Sequence, residues 1–110
     1  MELEVRLQST DPARPNEELL RQILEQQNDL ARFLEEDEPE VDGATVAPQA
    51  GFPTGLEPFV ISVVIALAGS TLKKIGEAVG EELGRRIGAR IRLWIKRRFP
   101  DVVVDEGPGK

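Results

Sequence analysis

The sequence predicts a small α+β domain: a strand opens the chain, helices fill its middle and second half, and a strand stands near its end. Three observations carry that expectation. Leu3, Val5 and Leu7 alternate with polar residues, the two-residue period of a half-buried strand. Leu19, Leu20, Ile23, Leu24, Leu30 and Leu34 follow one helical stripe. Val102-Val103-Val104 follows Pro100, which must stop any helix before it. A chain of 110 residues, 40% of them hydrophobic, suffices for one domain with a modest core.

In chain order, the first strand covers about residues 2–8, and Ser9–Pro15 breaks it. Asn16 has the chemistry of a helix N-cap, and Glu17 and Glu18 suit the positive end of the helix predicted over 16–36. An acidic run at 35–42 ends that helix. Residues 35–53 read as an acidic, then Gly/Pro-rich linker, with Ala44–Ala47 as an optional short strand. Thr54-Gly-Leu-Glu57 matches a capping box and Pro58 suits a first helical position, so a helix is expected to start there. From Phe59 to Leu72 only Ser62, Ser70 and Thr71 are polar. As a helix this run rises about 21 Å, short of the roughly 30 Å hydrocarbon core, and it reads as protein core. Its β-branched Val60, Ile61, Val63, Val64 and Ile65 leave a buried strand as the other reading. Residues 71–99 form an amphipathic helix, and 105–110 a flexible tail. The predicted order is strand, helix, optional strand, helix, helix, strand.

The long helix carries the most unusual pattern. Gly76, Gly80, Gly84 and Gly88 recur every four residues beside an apolar row of Ile75, Val79, Leu83, Ile87, Ile91 and Ile95. A helical glycine costs about 0.8–1 kcal/mol against alanine, so such a row needs a compensating close approach by another element. That element is either part of this domain or a second copy. The helix ends in Arg85, Arg86, Arg90, Arg92, Lys96, Arg97 and Arg98 with no acid among them. These cations suit the negative helix end. With Trp94 and Phe99 they also suit an anionic membrane surface. The expected interaction residues are therefore Gly76, Gly80, Gly84, Gly88, Arg90, Arg92, Trp94, Arg97 and Arg98, with Arg90, Arg92, Arg97 and Arg98 in solvent or facing acids of another chain.

Charge is unevenly spread. Residues 1–57 carry fourteen acidic and four basic side chains, whereas 58–110 carry six acidic and ten basic. Intramolecular pairing, oriented self-association and an anionic partner all fit that polarity. A pI of about 4.7 and the lack of a nucleic-acid motif argue against nucleic acid.

Chemistry-bearing residues are scarce. The sequence holds no His and no Cys, which removes the commonest general base and the best neutral-pH nucleophile. Neither a phosphate-binding Gly-Lys-Ser/Thr loop nor a dinucleotide fingerprint occurs. Glu38, Glu40, Asp42 and Gly43 mimic half of a calcium loop, but Gln49 stands where a bidentate Glu is needed. No cofactor, metal or catalytic activity is expected. The absence of Cys and of a signal peptide fits the cytoplasm.

The opening strand Leu3–Leu7, the acidic Leu-rich helix and the Gly/Pro loop precede an apolar segment ending Ala-Leu-Ala-Gly-Ser. A helix ending Leu-Trp-Ile-Lys-Arg-Arg (Leu93–Arg98) and an Asp-Val-Val-Val strand follow. This layout resembles the effector-associated constant component domains of bacterial conflict systems. The resemblance implies a small α+β, non-catalytic adaptor joining an effector to a sensor or NTPase. The alternative is a membrane-associated or pore-forming element using 59–72 and the basic helix.

Overall fold

The computed structural model describes residues 1–68 and 77–105. Its elements run β1 (Glu2–Ser9), α1 (Asn16–Glu25), α2 (Gln27–Asp37), β2 (Val41–Pro48), β3 (Phe59–Leu67), α3 (Glu77–Arg98) and β4 (Val102–Val104). The strands form one antiparallel sheet in the order β2-β3-β1-β4. Two β-α-β units thus interleave, each with a strand of the other between its own two, which is the ferredoxin-like arrangement. The α+β class is as the sequence predicts.

Alternation decides which sheet face is buried. Val5 and Leu7 of β1, Val46 of β2, and Ile61, Val63 and Ile65 of β3 join Leu19, Leu20, Ile23, Leu30 and Leu34 in one core. From α3 come Leu83, Ile87, Ile91, Trp94 and Ile95. Leu83, Ile87, Ile91 and Ile95 of the apolar row therefore form the buried stripe of α3. Glu2, Glu4, Arg6, Val64 and Val103 point to the opposite, helix-free face and are exposed.

Four expectations change. The apolar run at 59–67 is the strand β3, not a helix, because its β-branched residues fit a pleated surface and it pairs with both β1 and β2. Its remainder, 69–72, lies outside the described residues, as do Gly76 and the predicted tail beyond Asp105. The linker at 35–53 is mostly structured: 35–37 end α2, and 41–48 form β2 with a register irregularity between Val41 and Gly43. The helix at 16–36 is broken at Gln26 (φ −109, ψ 14), within the polar stretch that separates Leu24 from Leu30. Asn16 is not the N-cap; Pro15 holds that position. The buried Asn16 side chain instead accepts the Ser9 N–H at 2.9 Å and donates to the Glu57 carbonyl, tying the end of β1 to the loop before β3.

Candidate functional site: the sheet edge and the helix-free face

Three of the seven basic residues at the helix end, Arg86, Arg90 and Arg98, pair with acids in and just after this chain's own α2. Arg86 donates to both Glu38 carboxylate oxygens, at 2.9 and 3.0 Å. Those bonds hold the Glu38 carboxyl below the usual carboxylate range although its burial pulls the other way. Arg90 pairs with Asp37 at 2.8 Å, and its guanidinium lies 4.0 Å from the centre of the Phe33 ring. Arg98 pairs with Asp29 and sits over Trp94. Trp94 is 2% exposed and donates its indole N–H to Asp29 at 3.0 Å. The expected surface role of Trp94 is thus replaced by a core position, and Arg90 and Arg98 face acids of their own chain. Arg97 is exposed and meets no carboxylate among the described residues.

Gly84 and Gly88 of the glycine row lie on the side of α3 near Leu3 of β1 and Arg92. A Cβ built on Gly84 would stand 3.7 Å from the tip of Leu3, an ordinary contact. On Gly88 it would stand 3.1 Å from the Arg92 guanidinium, whose Nε donates to the Asp105 carbonyl at 3.1 Å. Gly88 therefore makes room for a clamp on the end of β4. Gly80 is half-buried. Neither Gly84 nor Gly88 touches another backbone, so within this chain the compensating close approach is to side chains. Sequence periodicity finds the row but cannot say what it faces.

The sheet has two differently finished edges. On β2 the outward N–H of Val46 donates to the Gln27 side chain at 3.0 Å, and Pro48 ends the strand without an N–H. On the other side β4 covers only Leu7, Gln8 and Ser9, and the Asp105 N–H extends the ladder to the Arg6 carbonyl. Met1 and Ile65 exchange backbone bonds, so odd-numbered residues of β1 bond to β3 and even-numbered ones turn the other way. The N–H and C=O of Glu2 and Glu4 consequently point past the end of β4, where no described residue bonds them.

The cross-strand register lays out the helix-free face beside this edge. Thr45, Val64 and Glu2 share one row, Ala47, Ser62 and Glu4 the next, and Arg6 lies opposite Val60. Val64 is 48% and Val103 52% exposed. Gln49 donates to Glu4 across β3. The face has no aromatic side chain, so it lacks the stacking platform used to hold single-stranded nucleic acid. Among the described residues no group of three or more acids could hold a metal ion, and Glu38 of the predicted half-loop is committed to Arg86. No described helix is long and apolar enough to cross a membrane.

Neither a protein-family model nor a curated protein matches the chain. It is similar to a de novo designed protein with a ferredoxin fold, solved by solution NMR. Identity is 19%, over 94% of this chain and 79% of that one, with a TM-score of 0.38. At that level the likeness carries no argument, and the arrangement of this chain is read from its own strand order.

Proposed function

We propose that this chain is a non-catalytic protein-interaction module, an adaptor that docks a partner through its helix-free sheet face. The observation that carries the reading is the exposure of Val64 and Val103, each about half exposed on that face. Exposed apolar side chains on a sheet face that no described helix covers suit docking against a partner. On this reading the contact lies across the sheet from α3, whose Gly84 and Gly88 stand beside Leu3 and Arg92. The resemblance to adaptor domains of bacterial conflict systems adds an effector or a sensor NTPase as the partner class. The membrane alternative loses its main element, because 59–67 is a strand paired on both sides.

The test is in-cell cross-linking of the full chain beside its Val64→Asp/Val103→Asp variant. Both substitutions lie on the exposed face, so the melting transition should move little. Cross-linked species, homomeric or heteromeric, should be lost in the variant. Identical cross-linking of both proteins, or none above background for either, overturns the reading.

A further inference from the structure

Beyond the sheet-face reading, we propose that copies of this chain associate head to tail. The β2–β3 loop of one copy seats Phe52 and Leu56 against Ala89 and Leu93 on α3 of the next. Among the described residues the exposed large apolar side chains are Phe52, Leu56, Leu93, Val64 and Val103, and the last two belong to the sheet face. Phe52, 57% exposed, is the most open of them.

The loop is built to hold its apolar pair outward. Its second half is tied to the start of α1, where the Asn16 N–H donates to the Gly55 carbonyl at 2.8 Å and the Gly55 N–H to the Glu17 carboxylate at 3.1 Å. The Gln8 side chain donates to the Leu56 carbonyl at 2.9 Å. Gly51 and Gly55 turn at φ 81 and φ 67, a region open to glycine. Leu56 therefore has exposed Glu57 next to it in the chain and the Glu17 carboxylate bonded one residue back. Neither acid pairs with a cation among the described residues.

Helix α3 offers the complement. Arg85, Ala89, Leu93 and Arg97 recur every four residues along one ridge, and all four are exposed. Two apolar residues are thus bracketed by two arginines, with exposed Lys96 alongside. Arg86, Arg90 and Arg98 are taken by Glu38, Asp37 and Asp29, whereas Arg85, Lys96 and Arg97 pair with no carboxylate among the described residues. Both patches are exposed in the same folded chain, so apolar meets apolar and acid meets base only between copies.

The charges select this contact over its symmetric rivals. Pairing two α3 helices about Leu93 gathers the cations of both copies, and pairing two loops gathers the acids. A heterologous contact uses a different patch on each side and so repeats from copy to copy. So few side chains make it weak, with a Kd of about 0.1–1 mM, and it forms at high protein concentration rather than under in-cell cross-linking.

Sedimentation velocity of the full chain at rising concentration tests the proposal. At about 0.15 M salt the mean mass should climb past that of a dimer, and association should weaken at least tenfold in about 1 M salt, where the Debye length is about 3 Å. Phe52→Asp and Leu93→Asp each lose one patch and should stay monomeric. Mixed in equal amounts they should form a dimer and nothing larger, because the one intact loop meets the one intact helix. If Leu93→Asp fails to fold, Lys96→Glu/Arg97→Glu takes its place. Val64→Asp/Val103→Asp should assemble as the wild type does, which separates this contact from the sheet-face reading. A wild type still monomeric at about 1 mM overturns the proposal. So do assembly indifferent to salt, a mixture that remains monomeric, and association lost in Leu93→Asp but kept in Phe52→Asp. Assembly abolished by Val64→Asp/Val103→Asp overturns it as well and moves the contact to the sheet face.

Discussion

Along β2, the edge amide of Val46 is taken by Gln27, Pro48 ends the strand, and α2 packs alongside. Along β1, beyond the last residues of β4, the backbone of Glu2 and Glu4 meets no described residue. Both edges belong to one sheet with one core. The β2 edge is finished by a side chain brought from a helix; among the described residues, the other carries two like charges, Glu2 and Glu4, a pattern that deters self-pairing. Asp29 and Asp37 of α2 and Glu38 just after it thus pair with α3, whereas Glu4 of β1 accepts only from Gln49.

The largest effect should come from the covered side. Trp94→Ala removes a buried indole, its bond to Asp29 and its contact with Phe99 (ring centres 6.4 Å apart), and should cost about 3–5 kcal/mol in urea unfolding followed by circular dichroism. A loss under about 1 kcal/mol would mean that the α2–α3 junction contributes little and that the contrast between the two sides is overstated.

Glu38→Gln should cost about 1–3 kcal/mol at neutral pH, since it weakens two charge-assisted bonds at a buried carboxylate. The pH dependence sharpens the point. Glu38 is depressed in the folded state, so its contribution is present above the usual carboxylate range and is lost as pH falls through the lowered value. Wild type should therefore lose more stability than the variant between pH 5 and pH 2, about pH units where carboxylates titrate. Parallel curves for the two proteins would remove the Arg86 pairing from the account.

The edges themselves can be compared directly. Gln27→Ala leaves the Val46 N–H to water and should cost about 0.5–1.5 kcal/mol, with increased self-association as a newly opened edge. Glu4→Ala, on the open edge, should stay within about 0.5 kcal/mol. Equal effects at the two positions would break the comparison.

The smallest effect, of opposite sign, is expected at the glycine row. Gly84→Ala places its methyl at ordinary distance from Leu3, so the helix propensity gain of about 0.8–1 kcal/mol should largely survive as increased stability. A destabilised protein in thermal melts would show that Leu3 cannot give way.

The sequence by itself determined the α+β class, the strand at β1, the buried stripe of α3 and the stop at Pro100. Each rests on periodicity or on proline chemistry within a few residues. It left 59–67 open between helix and strand, because a short β-branched apolar run suits a central strand and a buried helix equally until its neighbours are known. Only the tertiary structure decided that case, by pairing β3 on both sides. Three further features wait on distance in the chain. Asn16 reads locally as a cap, yet it bonds Ser9 and Glu57, since a buried amide takes whichever partners folding brings to it. The basic helix end looks like a surface for another molecule, yet Asp29, Asp37 and Glu38 stand opposite it after folding and pair with Arg98, Arg90 and Arg86. The pairing of β4 with Leu7, Gln8 and Ser9 of β1 is a relation between residues almost a hundred positions apart that no local pattern encodes.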